Sequence, residues 1–218
     1  MSWDWRYAWE IVPQLLSGLR TTVMVTALGF VMALGVGLGW AVVRRAGTPW
    51  LRLPATAFAL FVRGTPLLVQ LYFLYYVLPG YGLTLSALAT GILGLGLHFG
   101  AYLSEVFRAG IESVPRAQWE AAQALSYSSR RTWAAVVLPQ TVRHVLPGLG
   151  NYLISMFKDS ALLSIITVTE LVSAARSASG QTFRYLEPVT MTGVIFFLVS
   201  YPTSLGVRAL QNRLGVAT

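Results

Sequence analysis

The sequence contains no cysteine, only two histidines and few charged residues. The missing cysteine excludes disulfides, thiolate metal sites and cysteine nucleophiles. His98 and His144 are too far apart along the chain to indicate a zinc site by themselves. Charged residues make up 11% of the chain and hydrophobic residues 55%, with a mean hydropathy of +0.61, whereas soluble domains carry about a quarter charged residues. The composition therefore predicts a protein that buries apolar surface in lipid.

Lysine is nearly absent as well, because Lys158 is the single residue of this type. A phosphate-binding loop of the form G-x-x-x-x-G-K-[ST] needs a lysine followed by serine or threonine. Lys158 is followed by Asp159, so the chain lacks this means of holding ATP phosphates. We therefore expect the chain to bind no cofactor itself.

Five segments are long and apolar enough to be predicted as membrane-spanning helices, which need about 20 residues each. They are approximately residues 22–43, 55–78, 83–107, 146–168 and 190–210. The fourth contains Asn151, Lys158 and Asp159, so we expect those side chains to face protein or water rather than lipid. The sequence thus predicts an all-α integral membrane protein with five transmembrane helices.

Arginines in the loops predict the orientation of these spans, because cytoplasmic loops are enriched in basic residues. One side has few arginines, and acids offset them. The other side is strongly basic, so we expect the C-terminus in the cytoplasm and the N-terminus outside. The net charge of +8 then reflects topology rather than a nucleic-acid partner. The basic residues on the cytoplasmic side are Arg44, Arg45, Arg52, Arg108, Arg116, Arg130, Arg131, Arg143, Arg208 and Arg213.

The N-terminal residues differ from the spans. Residues 3–16 contain three tryptophans, a tyrosine and scattered charges, a pattern that is typical of an amphipathic helix at the membrane interface. Docking of a partner is an alternative role. We therefore divide the chain into an interfacial segment at residues 1–18 and a transmembrane domain at residues 19–218.

The longest cytoplasmic loop lies between the third and fourth spans and carries the most informative motif. It reads SVPRAQWEAAQALSYSSRRTWAAVVLPQTVRHVLP. Pro115 can start a helix, and Glu120 suits its early turns because an acid there favours the helix dipole. The small Ala121 and Ala122 leave room for the close approach of a partner. Pro139 then starts the chain back toward the membrane, so we predict a short helical projection on the cytoplasmic face.

This loop resembles the EAA loop of importer permeases in the ATP-binding-cassette superfamily, which reads Glu-Ala-Ala, three residues, Gly, nine residues, Ile, one residue, Leu-Pro. Ser126 stands where the family usually has glycine, the residue that best tolerates a left-handed turn. The resemblance implies a coupling helix that sits in a groove of a separate ATPase subunit; a solvated amphipathic loop is the alternative. The positions in register are Glu120, Ala121, Ala122, Ser126, Val136, Leu138 and Pro139.

The resemblance extends from about residue 19 to the C-terminus and is closest to the polar amino-acid branch. The segments that carry it are 61–79, 101–115 and 156–171, and segment 183–194 resembles permeases for ectoine and hydroxyectoine. It implies a permease of the type I importer fold in the bacterial inner membrane. It also implies three partners: an ATPase subunit that binds ATP, a second permease subunit that is identical or homologous, and an extracytoplasmic solute-binding protein.

The fourth span carries a polar stripe. Asn151, Ser155, Lys158 and Asp159 are spaced i, i+4, i+7 and i+8, which places them on one helical face. We predict that this face lines the path of the solute, because charges within a span need a partner or water. An internal ion pair that stabilises the bundle is the alternative. The Lys-Asp/Glu motif of the resembled branch falls at Lys158 and Asp159.

Two other spans carry candidate path residues. In the third span Tyr102 and Glu105 share a face with His98, and Glu105 can either pair with Arg108 at i, i+3 or face the solute. In the second span Gln70 lies seven residues after Arg63, on the same face. For Arg63 we favour an extended position toward the cytoplasmic interface over direct solute contact.

Two other classes of function remain open at this point. An intramembrane enzyme would have to use His98, Glu105, Lys158 and Asp159, which show no metal or nucleophile–base spacing. A passive channel or secondary transporter often has paired repeats and broken helices, and no convincing repeat is found here.

Overall fold

The structure, a computed structural model, describes residues 3–45 and 48–214, and in these ranges the chain is helical without a strand. The start of the predicted interfacial segment, residues 1–2, and the end of the predicted transmembrane domain, residues 215–218, lie outside the described residues. The helices are α1 (Trp5–Glu10), α2 (Val12–Arg45), α3 (Pro49–Gly64), α4 (Leu67–Tyr72), α5 (Ala87–Glu112), α6 (Arg116–Ala124), α7 (Ser129–Thr132), α8 (Leu138–Asp159), α9 (Leu171–Thr182) and α10 (Leu186–Leu214).

Short irregular turns join some of these helices. Wide π turns cover Phe73–Val77 and Trp133–Val137, and tight 3₁₀ turns cover Leu78–Tyr81 and Ser160–Ile166. Such turns re-satisfy backbone groups where a membrane helix is interrupted. Phe73–Val77 and Ser160–Ile166 lie inside predicted spans, whereas Leu78–Tyr81 starts at the end of a predicted span and Trp133–Val137 lies in the predicted cytoplasmic loop.

Helices α2 and α5 form the centre of the bundle, and glycines allow their backbones to meet. A Cβ atom on Gly37 would lie 2.9 Å from Cβ of Leu103, and one on Gly100 would lie 2.8 Å from Cγ1 of Val36. Close approach of this kind is the usual role of small residues in membrane bundles. The predicted all-α membrane fold is confirmed.

Two glycine pairs with small-xxx-small spacing, Gly35/Gly39 in α2 and Gly96/Gly100 in α5, have different surroundings. Gly96 and Gly100 lie against Met32 and Val36 of α2. Cβ atoms on Gly35 and Gly39 would meet no atom of the described chain within 4 Å. The contact face of α2 instead carries Gly37, because a residue two positions away lies on the opposite side of a helix.

Three helices are individually long and apolar enough to cross a membrane: Val12–Arg45, Ala87–Glu112 and Leu186–Arg213. Two further crossings exist if each bent pair counts as one span, which gives the predicted total of five. Helices α2 and α10 extend beyond the predicted spans at both ends, and α2 begins ten residues earlier than expected. Helix α5 begins four residues later than predicted and ends five residues later. Helix α2 crosses the predicted boundary between residues 18 and 19 without a break.

The second span was predicted as continuous from residue 55 to 78, and this is wrong. Helix α3 ends at Gly64, and the segment Leu67–Tyr81 leaves it at an angle of 105°. Pro66 has no N–H and disfavours helical geometry in the residue before it. Thr65 is accordingly extended, with φ −110° and ψ 140°.

The fourth span also departs from the predicted range 146–168. Helix α8 starts eight residues earlier, at Leu138, and ends at Asp159. The chain then tightens into the 3₁₀ turn, and Thr167 takes a left-handed conformation with φ 66°. Helix α9 follows at a bend of 49°.

The predicted interfacial helix over residues 3–16 is replaced by the short helix α1, capped by the Asp4 carboxylate. Its polar side chains contact the rest of the protein, since the Tyr7 hydroxyl donates to the Ala178 carbonyl at 2.9 Å. Trp5 and Trp9 stay about 70% exposed, which suits an interface position. The segment thus combines docking onto α9 with an exposed aromatic surface.

Candidate functional site

The predicted cytoplasmic projection is a helical hairpin formed by α6 and α7. Pro115 immediately precedes α6, as the sequence indicated. Glu120 and Ala121 are exposed on α6, whereas Ala122 is only 2% exposed. The first two motif residues are therefore available to a partner, and the third packs the helix against its own protein.

Ser126 adopts the left-handed conformation that glycine usually supplies, with φ 55°. The Ser126 N–H donates to the Gln123 carbonyl at 2.8 Å, and the Tyr127 N–H donates to the Ala122 carbonyl at 3.0 Å. These two bonds form the Schellman closure of a helix C-terminus. The serine therefore preserves the turn, at the cost of steric strain that glycine would not have.

The last part of the motif leads from the hairpin into α8. Val136 lies in the π turn Trp133–Val137, which joins α7 directly to α8. Leu138 and Pro139 form the first turn of α8, and both side chains are exposed. The N–H of Leu138 donates to the Trp133 carbonyl across the π turn. This local widening of the helix accommodates Pro139, which has no N–H to donate.

A cluster of two tryptophans and one arginine attaches the hairpin to α2. The rings of Trp119 in α6 and Trp133 meet edge to face, with centroids 5.3 Å apart. The Arg45 guanidinium lies 5.6 Å and 5.5 Å from the two ring centroids, within cation–π range. Sequence reasoning missed this cluster, because nothing in the spacing of these residues predicts that the end of α2 meets the hairpin.

Three arginines converge on Glu105 near the same end of the bundle. Arg44 Nη1 lies 2.7 Å and Arg63 Nη1 3.0 Å from Glu105 Oε1, and Arg108 Nε lies 2.8 Å from Oε2. The pairing of Glu105 with Arg108 was predicted, but the partners from α2 and α3 were not. Because both carboxylate oxygens are engaged, the geometry favours the ion-pair interpretation of Glu105 over solute contact.

Gln70 closes the break between α3 and α4. Its Nε2 lies 2.7 Å from the Val62 carbonyl, 3.1 Å from the Thr65 carbonyl and 2.8 Å from the Thr65 hydroxyl, and its two N–H groups are shared among these acceptors. Its Oε1 lies 3.1 Å from Nδ1 of the buried His98. The amide is thus occupied by groups of its own chain, which makes Gln70 a structural residue in this conformation.

Tyr102 belongs to the same region. Its hydroxyl donates to the Arg63 carbonyl at 3.3 Å, and its ring lies under the Arg63 guanidinium, 5.5 Å away. Its ring centroid is also 5.7 Å from that of Tyr152 on α8. Tyr102 and Glu105 thus both contact Arg63. Gln70 joins them through His98, whose ring centroid is 5.2 Å from that of Tyr102. This group is separate from the polar stripe of α8.

The stripe on α8 is divided between exposed and half-buried side chains. Asn151 and Lys158 are exposed, and Ser155 and Asp159 are half-buried. Within the described ranges neither Lys158 nor Asp159 makes an ion pair, which weighs against the internal-pair alternative. Lys158 lines a groove of about 340 Å³ between α8 and α10, together with Tyr201.

No group of three or more acidic or histidine side chains in the described part of the chain is placed to hold a metal ion. The features that stand out are instead the exposed hairpin and an unpaired cation within a span. These features fit a protein that attaches to a partner on one side and passes a polar solute.

The chain is similar to known transport proteins. Residues 32–216 match the family described as binding-protein-dependent transport system inner membrane component. A probable amino-acid ABC transporter permease of Sinorhizobium fredii is 44% identical over 208 residues, covering 95% of this chain and 90% of the relative. The glutamine transport system permease GlnP of Escherichia coli is 30% identical over 218 residues, covering 99% of this chain and 100% of the relative. A crystal structure of an amino acid ABC transporter with histidines has a TM-score of 0.92 and 32% identity, covering 98% of this chain and 100% of that one.

Proposed function

Because the chain belongs to the family of binding-protein-dependent transport system inner membrane components, we propose that it conducts a small polar, amino-acid-like solute while a separate ATPase drives it through the α6–α7 hairpin. As a member of this family the chain is a multi-pass inner-membrane permease subunit of an amino-acid ABC importer. Such subunits are not enzymes themselves. The intramembrane-enzyme interpretation is therefore set aside.

The observation that carries the coupling role is the exposed position of Glu120 and Ala121 on a firmly held helix. The buried Ala122 and the Schellman closure at Ser126 fix the internal side of α6. A rigid helix with an exposed acid and a small neighbour offers both a charge and room for close packing. These are the properties needed by a short helix that enters a groove on a partner.

Arg45 supports transmission of force from the hairpin to the membrane domain. Its guanidinium contacts the rings of Trp119 and Trp133 while its backbone ends α2. A displacement of the hairpin by the ATPase would therefore act on the longest helix of the bundle. The π turn that joins the hairpin to α8 provides a second, covalent connection.

Lys158 supports the proposed solute path. A cation near the middle of a span costs about 2.5–3.5 kcal/mol unless it has a partner or water, and Lys158 has no carboxylate partner in the described chain. A water-filled path between this chain and a second permease subunit would satisfy it. The most apolar 18-residue stretch of α10 has no buried residue in the single chain, so α10 also has surface for a partner or lipid.

The orientation proposed here places the hairpin in the cytoplasm, with the N-terminus outside. The extracytoplasmic side would then receive cargo from a solute-binding protein, as the family implies. Relatives are named for glutamine and for amino acids in general. We propose a polar amino acid as the cargo, with ectoine or hydroxyectoine as the narrower candidates suggested by residues 183–194.

The test of coupling is co-purification of the ATPase with tagged wild-type chain, Glu120→Arg and Gln118→Arg. Gln118 is also exposed on α6, and it lies about 200° around the helix from Glu120. We expect Glu120→Arg to lose the ATPase because it reverses the charge at the contact, whereas Gln118→Arg retains it.

Melting curves of the purified variants would show whether the membrane fold is intact. Equal retention of the ATPase by wild type and Glu120→Arg would contradict the coupling role. Uptake of amino acid by reconstituted chain without ATP or an ATPase would instead support a channel or secondary transporter.

A further inference from the structure

We propose that a basic cavity at the hairpin end of the bundle binds the phosphate headgroup of an anionic phospholipid. The cavity lies between α2, α3 and α5 and has a volume of about 490 Å³. Arg44, Arg45, Arg52 and Arg108 line it, and Glu112 is the one acidic residue in the described lining. Four guanidinium groups and one carboxylate leave the lining with a net charge of +3.

Two of these arginines are already held in place by carboxylates. Arg44 pairs with Glu105 at 2.7 Å, and Arg108 pairs with Glu105 at 2.8 Å and Glu112 at 2.6 Å. Each carries further N–H groups, since a guanidinium has five donors. These two side chains are thus pre-positioned, so a ligand would not have to order them.

The other two arginines lack such compensation. Neither Arg45 nor Arg52 has a carboxylate within ion-pair distance in residues 3–45 and 48–214. Arg45 rests on aromatic rings, and the side chain of Arg52 is exposed. A phosphate group matches this arrangement because arginine binds phosphate oxygens in a bidentate manner.

The surroundings of the cavity favour a phospholipid over a soluble phosphate compound. Leu53 lines the cavity and is 67% exposed, and its neighbours Trp50 and Leu51 are 90% and 59% exposed. The exposed apolar surface continues along α3 at Leu60 and Phe61. Acyl chains would cover this surface while the headgroup occupies the cavity, and tryptophan is favoured at the level of the headgroups.

Lipid occupancy would act on the same residue that supports the hairpin. A phosphate beside Arg45 would neutralise part of the charge next to Trp119 and Trp133, and would tie the ends of α2 and α3 together. Basic pockets on the cytoplasmic side of membrane proteins suit such headgroups. The choice of the inner leaflet depends on the orientation proposed above, whereas binding of the headgroup does not.

The experiment is native mass spectrometry of the purified chain titrated with phosphatidylglycerol or phosphatidylcholine, which share a phosphate but differ in net charge. The variants are Arg52→Gln and Arg213→Gln. Arg213 is an exposed arginine at the end of α10, outside the cavity. Because a basic residue near a membrane contributes about 1 kcal/mol toward anionic lipid, we expect Arg52→Gln to weaken phosphatidylglycerol binding about fivefold. Arg213→Gln should bind as wild type does.

A second arm repeats the titration with excess inorganic phosphate. Unchanged phosphatidylglycerol binding supports the lipid, and displacement by inorganic phosphate assigns the cavity to soluble phosphates and overturns the lipid proposal.

Equal losses of phosphatidylglycerol binding in Arg52→Gln and Arg213→Gln would reduce the effect to general surface charge and also overturn the proposal. So would loss of the ATPase from Arg52→Gln with phosphatidylglycerol binding intact, because the arginines would then serve protein docking. Failure of the Glu120→Arg test would leave these lipid measurements unaffected.

Discussion

The two interrupted crossings of this permease solve the same problem with opposite chemistry. Where α3 ends, carbonyl groups lose their helical partners, and the Gln70 amide donates to those of Val62 and Thr65. Where α9 begins, N–H groups lack acceptors, and the Glu170 carboxylate accepts from Val172 at 2.8 Å and Ser173 at 2.7 Å. A helix end leaves groups of one polarity unsatisfied, so the closing side chain must have the other polarity.

The C-terminus of α6 offers a third solution, in which the backbone closes the helix without a side chain. The hydrogen bonds from Ser126 and Tyr127 replace the missing partners. This end lies at the exposed hairpin, whereas Glu170 is fully buried and Gln70 half-buried. Water can assist an exposed helix end but not one within the bilayer core, so side-chain closure is needed where water is excluded.

The most damaging change should be Gln70→Glu, because it replaces the donating amide group with a carboxylate oxygen that faces backbone carbonyl oxygens, and both are hydrogen-bond acceptors. The carboxylate oxygen in place of Nε2 would face the carbonyls of Val62 and Thr65, with only the Thr65 hydroxyl able to donate to it. We expect this change to cost about 3 kcal/mol. For a chain of this size the melting temperature in detergent should fall by about 6–12 °C. Gln70→Leu, measured beside it at mildly alkaline pH, removes the donors without adding a charge and should cost less. Equal stability of the two variants would contradict the polarity argument.

A smaller loss is expected from Glu170→Leu. The N–H groups of Val172 and Ser173 would lose their acceptors, at a cost of about 2 kcal/mol, or about 4–8 °C in melting temperature. Glu170→Gln keeps one acceptor oxygen and should show roughly half the effect. If leucine were as stable as the wild type, the carboxylate could not be the group that closes this helix.

The smallest effect should be a gain, in Ser126→Gly. Removing the side chain relieves the left-handed strain, worth about 1 kcal/mol. The Tyr127 amide, which donates to Ala122, should then exchange with deuterium about fivefold more slowly. Ser126→Ala keeps a Cβ atom and should show no gain, and slower exchange in that variant would point to a cause other than strain.

The broad architecture followed from local sequence properties. Apolar length predicted the spans, and Pro115 and Pro139 predicted where the cytoplasmic hairpin begins and where α8 starts. Pro66 lies inside the second predicted span, which was predicted as continuous, and the 105° bend was not predicted. The bend depends on Gln70 reaching back to α3, and a contact that forms only after the chain has turned leaves no periodic signal.

Contacts between distant residues account for most of what sequence reasoning missed. Arg44 and Glu105 are 61 positions apart, and their pairing follows from the packing of α2 against α5. Lys158 was predicted to face protein or water on a stripe that lines the solute path. In the described part of the chain it is exposed and makes no ion pair, and its role in the path stays a prediction. The close contact between α2 and α5 uses Gly37, whereas Cβ atoms on Gly35 and Gly39, which have small-xxx-small spacing, would meet no atom of the described chain within 4 Å.

Helix α2 has a mechanical consequence beyond its place in the core. It is 34 residues long, which corresponds to a rod of about 50 Å. One end carries Arg45 beneath the hairpin, and near the other end Gly18 is pressed against α9, where a Cβ atom would lie 2.8 Å from that of Ala174. A tilt of about 5° in a rod of this length moves the far end by about 4 Å. A small tilt of α2, applied at the hairpin end, can thus displace the opposite end of the helix and the residues of α9 that it contacts.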